Sequence, residues 1–217
     1  MFPLGLTDAY RTGMTGLLDH ARKVADGFHV VRVAQRCLDA IRRRVQQEQL
    51  GHRGRKADPL YKIRKILLTG DEPLTDRGRT RLLEGLRLGD PHDEVLGGWL
   101  AREMVRDVYL TDSPNLATVM LGRAIRACLA DDVPEIQSLG RTLRKWWTEI
   151  LNHHRTGASN GPTEGMNLCI KKVKRAGHGY RCFDHYRLRV LLHADGCDWS
   201  RYTTRPAPIR TRCSPVK

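Results

Sequence analysis

Long hydrophobic runs are missing from this 217-residue sequence, and no stretch reaches the roughly 20 apolar residues that a membrane-spanning helix needs. The first residues, from Met1 to Asp8, also lack the basic and then apolar pattern of a signal peptide. Six cysteines are scattered without a Cys-x-x-Cys pair, which argues against a zinc knuckle and gives no disulfide framework. These absences favour a cytoplasmic protein with reduced thiols and no membrane partner.

Acidic residues are scarce relative to basic ones. The sequence has 24 Asp plus Glu against 38 Lys plus Arg, for a formal net charge of +14. Such an excess favours a polyanionic partner, with nucleic acid first and a membrane surface second. The alternative is a basic, solvated surface in an arginine-rich proteome. A hydrophobic content of 40% and a charged content of 29% fit a globular protein with a core.

Helical periodicity dominates the sequence. Apolar residues recur at helical spacing from Val30 to Val45, and Asp58-Pro59 is typical of a helix start. Further helices are predicted near residues 76–88, 93–109, 115–129 and 133–153. Strand signals are few: residues 22–26 form a short candidate, and residues 179–183 form a loop or a brief extended segment.

The clearest apolar stripe lies in the helix that ends near Asn152. It consists of Leu143, Trp146, Trp147, Ile150 and Leu151. Paired tryptophans can stack on nucleotide bases. Because the rest of the stripe is aliphatic, we instead expect both indoles to be buried in a core.

The segment from Ser159 to Arg175 carries the residues most suited to chemistry. Asn160 and Pro162 are typical of a helix start, which places Glu164 in the first turn. At 3.6 residues per turn, Glu164 shares a face with Asn167, Lys171 and Arg175, flanked by Lys172 and Lys174. The opposite face is apolar, and we expect it to pack in a core; it carries Met166, Cys169, Ile170 and Val173. A metal-binding carboxylate followed by phosphate-binding cations suits phosphodiester chemistry. Alternatively, Glu164 only interacts favourably with the helix dipole.

A second candidate pair is Asp26 and His29, three residues apart where the predicted strand meets the first helix. These side chains have three alternative roles: to bind a metal, to activate water, or to cap the helix. Capping is the commoner outcome for an isolated pair at such a junction.

Together, several stretches resemble one family. They are residues 24–34 (VADGFHVVRVA), the basic run 43–56, residues 138–143 (SLGRTL) and residues 159–175. From about Tyr10 to Trp199 the sequence resembles, in register, the ISL-three family of bacterial insertion-sequence transposases.

The resemblance implies a ribonuclease-H-like catalytic domain with a helical insertion between its second and third acidic residues. Three carboxylates would hold two Mg²⁺ ions, which activate water and then a DNA 3′-hydroxyl for strand cleavage and transfer. By this resemblance Glu164 would be the third acid, a catalytic and metal-binding residue. Asp26 and His29 match an Asp-x-Phe-His element before the insertion. We expect this element to support the site, with Asp26 as a secondary catalytic candidate.

The sequence departs from the family at its beginning. The family's first acid lies on a strand upstream of any residue in this chain. The second acid stands shortly before a Tyr-Arg pair, and with Tyr10-Arg11 as that pair its position is Gly5. Asp8 lies three residues from this position. Because side chains alternate along a strand, a displacement by an odd number of residues places the side chain on the opposite face, so Asp8 is a poor substitute. The sequence therefore predicts a metal site that lacks two of its three carboxylates.

The predicted fold is mainly α. Residues 1–30 are predicted to be the truncated remainder of a ribonuclease-H-like α/β domain, and residues 31–155 are predicted to be the helical insertion. Residues 156–199 would form the C-terminal part of the catalytic domain, with the Glu164 helix, and residues 200–217 would form a basic tail.

The predicted function is that of a DNA transposase fragment, nucleoid-associated and catalytically incomplete, with DNA bound by Asn167, Lys171, Lys172, Lys174 and Arg175. The alternatives are a non-catalytic DNA-binding protein, an inhibitor that joins the assembly of a full-length transposase, and a decayed product without function. Besides DNA, the predicted partners are a full-length transposase or a second copy of this chain.

Overall fold

The computed structural model describes residues 2–4, 22–158 and 161–195. The chain divides into two compact units, Met1–Ser159 and Asn160–Lys217. The assignment of chain segments to an insertion and a catalytic domain stays a prediction. The predictions made for Gly5, Asp8, Tyr10-Arg11, Ser159-Asn160 and the tail at 200–217 lie outside the described residues.

The first unit begins with a short parallel strand pair. Strand β1 (Phe2–Leu4) pairs with β2 (Lys23–Ala25), and Pro3 lies opposite Val24. Its helices are α1 (Gly27–Leu50), α2 (Pro59–Ile63), α3 (Asp76–Gly89), α4 (Glu94–Leu110), α5 (Pro114–Ala130), α6 (Pro134–Lys145) and α7 (Trp147–Thr156), with a 3₁₀ turn at Ile66–Leu68. The predictions of a mainly helical fold and of a strand at 22–26 are confirmed. The remnant of a ribonuclease-H-like domain stays a prediction.

Local sequence explains where these helices begin and end. The side chain of Thr75 accepts a hydrogen bond from the Gly78 N–H (3.2 Å) and caps α3. Proline occupies the first turn of α2, α5 and α6, where its missing N–H does no harm. Helix α1 ends at Leu50 and is followed by the cap residue Gly51, whose φ of 70° favours glycine. Among the described residues, no helix is long and apolar enough to cross a membrane.

The core of the first unit forms where α1 meets α4. The buried face of α1 carries Val30, Ala34, Leu38, Ile41 and Val45, which are at most 3% exposed. Helix α4 approaches this face at Gly98, where an added Cβ would lie 2.7 Å from Ile41 Cδ1. The absent side chain therefore allows the two helices to pack closely.

The helix predicted over 133–153 is broken at Trp146, which leaves the helical region (φ −101°, ψ 18°) and separates α6 from α7. Trp146 is 2% exposed, Ile150 is 0% and Leu151 is 6%, as predicted. Trp147 is half-buried and packs against the core, so the prediction that both indoles are buried holds for Trp146 and only in part for Trp147. Its ring lies over Gly122 of α5.

The second unit contains α8 (Gly161–Ala176) and α9 (Phe183–Asp195), joined by a loop. In that loop His178 has a φ of 46° and Gly179 a φ of 111°. The Tyr180 hydroxyl donates a hydrogen bond to the Val173 carbonyl oxygen (3.2 Å), which fastens the loop to the end of α8.

Candidate nucleic-acid interface

Helix α8 carries the predicted functional residues on its exposed surface. Glu164 lies in the first turn and is exposed. The same is true of the residues that we name the α8 stripe, namely Asn167, Lys171, Lys172, Lys174 and Arg175. The cations therefore form a continuous solvated surface, available to phosphates. Lys174 and Arg175 also lie in the last turn, where positive charge stabilises the helix dipole.

The opposite face of α8 is less buried than the sequence predicted. Val173 is 8% exposed, and Cys169 and Ile170 are half-buried. Met166 is 45% exposed, so its assignment to a core is wrong. Within this unit the loop hydrogen bond of Tyr180 falls on Val173, near the C-terminal end of the helix. The N-terminal turns around Met166 therefore keep more of their apolar surface in solvent.

Asp26 caps α1. Its Oδ2 accepts a hydrogen bond from the Phe28 N–H (3.1 Å), and the residue is only 7% exposed. His29 lies in the first turn, with Nδ1 3.5 Å from the same carboxylate oxygen. The structure thus brings together the two residues paired in the sequence and confirms the capping interpretation. Their catalytic and supporting roles stay predictions. Asp26 lies in the first unit and Glu164 in the second.

Two residues that the sequence did not single out hold this strand-to-helix junction. The Tyr109 hydroxyl donates a hydrogen bond to the Ala25 carbonyl oxygen (3.3 Å), and its ring would lie 2.8 Å from a Cβ added at Gly27. Burial, and then the negative charge of Asp26, raise the pKa of the Tyr109 phenol well above its usual range. Asn152 Nδ2 donates to the Lys23 carbonyl oxygen (2.9 Å). Both lie more than 80 residues along the chain from the junction, so no local pattern could reveal them.

The described residues do not supply the metal-binding set that the family implies. Within residues 22–158 and 161–195, no three His, Cys, Asp or Glu side chains form a group that could hold a metal ion. Asp26 already accepts the hydrogen bond that caps α1. Glu164 lies on an exposed helical surface, whereas a two-metal site needs several converging anionic ligands. The described part of the chain therefore supports no reaction step through Mg²⁺.

Comparison with known proteins gives the family. A family model described as "Transposase" matches residues 5–190. The chain belongs to this ISL-three transposase family. It is similar to the transposase for insertion sequence element IS1001 of Bordetella parapertussis, at 24% identity over 189 residues, which are 86% of this chain and 45% of that protein.

A shorter match is to an "ATP-dependent protease" of Lactococcus lactis subsp. lactis, at 38% identity over 56 residues, or 26% of this chain and 18% of that protein. The chain thus spans less than half the length of these curated relatives. No solved structure matches it.

Proposed function

We propose that this chain is a DNA-binding fragment of an insertion-sequence transposase and does not by itself complete strand cleavage or transfer. The observation that carries the proposal is the α8 stripe, which lies within the matched transposase region and follows Glu164 along the same helix. Its four cations are exposed, as electrostatic binding of a phosphate backbone requires. The net charge of +14 adds long-range attraction to DNA.

The α8 stripe should give binding with weak sequence preference, because contacts to phosphates position a protein on DNA without reading bases. In a cell such a chain would lie with the nucleoid in the cytoplasm. Glu164 would serve as one ligand of Mg²⁺ in an assembly that supplies the other carboxylates. Strand cleavage and transfer would therefore require carboxylates that the described residues do not supply.

Binding is tested by fluorescence anisotropy of a labelled duplex titrated with the full chain at low and at physiological salt. The variant K171Q/K172Q/R175Q should weaken binding and reduce the salt dependence by about 0.9 in the log–log slope for each phosphate that is no longer neutralised. The control R77Q/R81Q/R87Q removes the same charge from exposed arginines of α3. Equal effects of the two variants would assign the binding to net charge rather than to α8, and no binding at low salt would refute the proposal.

An inhibitor that joins a full-length transposase is the second candidate, with self-association of the chain as a related alternative. The observation in its favour is apolar surface on the second unit, where Leu168 is 69% exposed and Phe183 is 68% exposed. Light scattering of the chain alone, and a transposition assay with full-length transposase plus increasing amounts of the chain, test this role. Strictly monomeric behaviour with undiminished transposition would exclude it.

A further inference from the structure

A basic groove of about 550 Å³ lies in the first unit, between α1 and residues 64–68. Cationic side chains line it on both sides: Arg32, Arg36 and Arg43 from α1, and Arg64 and Lys65 from the facing segment. Leu38 and Leu67, which are 1% and 2% exposed, contribute an apolar floor. We call this feature the α1 groove.

The positive charge of the α1 groove is poorly neutralised within the protein. One carboxylate, Asp39, is found among the described residues that line the groove. It already bonds two guanidinium groups, that of Arg42 at 2.6 Å and that of Arg43 at 2.7 Å. For Arg32, Arg36 and Lys65, the described part of the chain shows no ion pair with a carboxylate.

These cations differ from the arginines that hold the fold together. Arg44 bonds Glu135 and Glu94, and Arg106 bonds Glu103, so their charges are used inside the bundle. Arg32 and Arg36, in contrast, are exposed and stand at i and i+4 on one helix, where like charges destabilise it. An anion bound between them would relieve this repulsion, so the arrangement suits a ligand better than it suits folding alone.

The geometry also suits an extended polyanion. From Arg32 to Arg43, α1 advances roughly 16 Å at about 1.5 Å per residue. This length matches about five steps of duplex DNA, at roughly 3.4 Å per phosphate on each strand. On the facing side, the Arg64 guanidinium stacks over the Tyr61 ring at 3.8 Å and donates to the Tyr61 carbonyl oxygen (2.8 Å), which fixes its position. Guanidinium groups can bind phosphate oxygens through two parallel hydrogen bonds.

We propose that the α1 groove binds the phosphodiester backbone of DNA, as a second contact surface on the first unit in addition to the α8 stripe. This inference rests on the proposed function, since it assumes that the chain binds DNA. A backbone can enter a groove that has cations on two sides, whereas a flat anionic membrane reaches only the rim. The first unit, in which Asp26 is the catalytic candidate, would thereby also bind the DNA substrate.

The test compares two matched variants of the full chain in the anisotropy assay. R32Q/R36Q/K65Q removes three exposed cations of the groove, and R77Q/R81Q/R87Q removes three exposed arginines of α3. Both lower the net charge equally and leave the core intact, which thermal melting should confirm. We expect the groove variant to raise the Kd at least roughly tenfold more than the control does. It should also reduce the slope of log Kd against log salt concentration by up to about 2.7, or about 0.9 for each phosphate that the groove no longer neutralises. The combination with K171Q/K172Q/R175Q should weaken DNA binding more than either variant does alone.

Each other outcome overturns the inference in a recognisable way. If the groove variant binds DNA as well as the control does, the groove is not a DNA-binding surface, while the proposed function stands. If the unaltered chain does not bind DNA even at low salt, the proposed function fails and the groove inference fails with it. If the variant keeps DNA binding but loses binding to vesicles of phosphatidylserine and phosphatidylcholine, the groove serves a membrane surface instead.

Discussion

Arg44 of α1 and Glu135 of α6 are 91 residues apart in sequence, yet the Arg44 Nε lies 2.7 Å from the Glu135 Oε1. The same guanidinium also bonds Glu94 at the start of α4. One side chain thus joins three helices. The hydrogen bond from Arg44 holds the pKa of the Glu135 carboxyl below its ordinary value of 4.5. Both side chains are less than one-third exposed, so solvent screens this pair only in part.

Substitution R44M should therefore destabilise the first unit by about 1.5–3 kcal/mol, the range for hydrogen bonds to charged groups. Because the folded-state pKa of Glu135 is lowered, its stabilisation is complete above pH 4.5 and is lost as the pH falls below that value. Urea unfolding of both proteins across this range should show the difference shrinking at acid pH. R87M, at an exposed arginine of α3, is the control and should change stability little. A difference that is independent of pH would contradict the ionic explanation.

The two adjacent tryptophans should respond differently to truncation. Trp146 is 2% exposed, so W146A should cost about 3–5 kcal/mol of unfolding free energy. Trp147 is half-buried, and W147A should cost clearly less. Urea denaturation measures both values, and iodide should quench the Trp147 indole more than that of Trp146. Equal losses of stability would contradict the difference in burial between the two indoles.

Local sequence rules predicted the helices well where caps and periodicity coincide. Helix α3 was predicted at 76–88 and runs from Asp76 to Gly89, because Thr75 caps its start. The break at Trp146 escaped prediction because the apolar spacing continues through it. The charged side chain of Arg42 is only 7% exposed, because Asp39 and Gln46 accept hydrogen bonds from its guanidinium. Periodicity cannot reveal such buried pairing.

The candidate site was predictable only where it lies on one helix. The exposure of the α8 stripe follows from the 3.6-residue period of residues 164–175. The α1 groove requires Arg36 and Lys65, which belong to separate segments, to face a common space. The hydrogen bond from the Tyr109 hydroxyl to the Ala25 carbonyl, next to Asp26, joins residues 84 apart in sequence and likewise depends on tertiary packing. Such long-range relationships need the fold.

His154 should make stability depend on pH near neutrality. Burial, and then the nearby His153, lower the pKa of His154 below 6.5, while a hydrogen bond to the Thr111 backbone opposes this shift. A lowered folded-state pKa means that its stabilisation is complete above pH 6.5 and is lost as the pH falls through the folded-state value. The Tm should therefore decrease on mild acidification, and H154F should flatten that decrease. The control H92Q, at an exposed histidine, should leave the dependence of Tm on pH unchanged. If H154F leaves this dependence as steep as before, His154 is not its source.

The last prediction concerns catalysis: this chain alone should neither cut nor join DNA ends. Two Mg²⁺ ions about 4 Å apart repel each other and need several anionic ligands. Glu164 matches the family's third acid, but Gly5 stands where the resemblance expects the second. Asp26 is 7% exposed and caps α1, so it is poorly suited to replace a missing ligand. Mg²⁺ also keeps its waters and binds weakly to one or two isolated carboxylates.

The measurement is a strand-cleavage and strand-transfer assay on the ends of the element, in Mg²⁺ and in Mn²⁺, with a full-length transposase of the family as positive control. We expect no product from the chain alone, although it binds the same DNA. Activity that disappears in E164Q would refute the prediction, and a parallel disappearance in D26N would identify Asp26 as the substitute ligand. Activity that survives E164Q would not depend on the family's third acid, which is the behaviour expected of a contaminating nuclease.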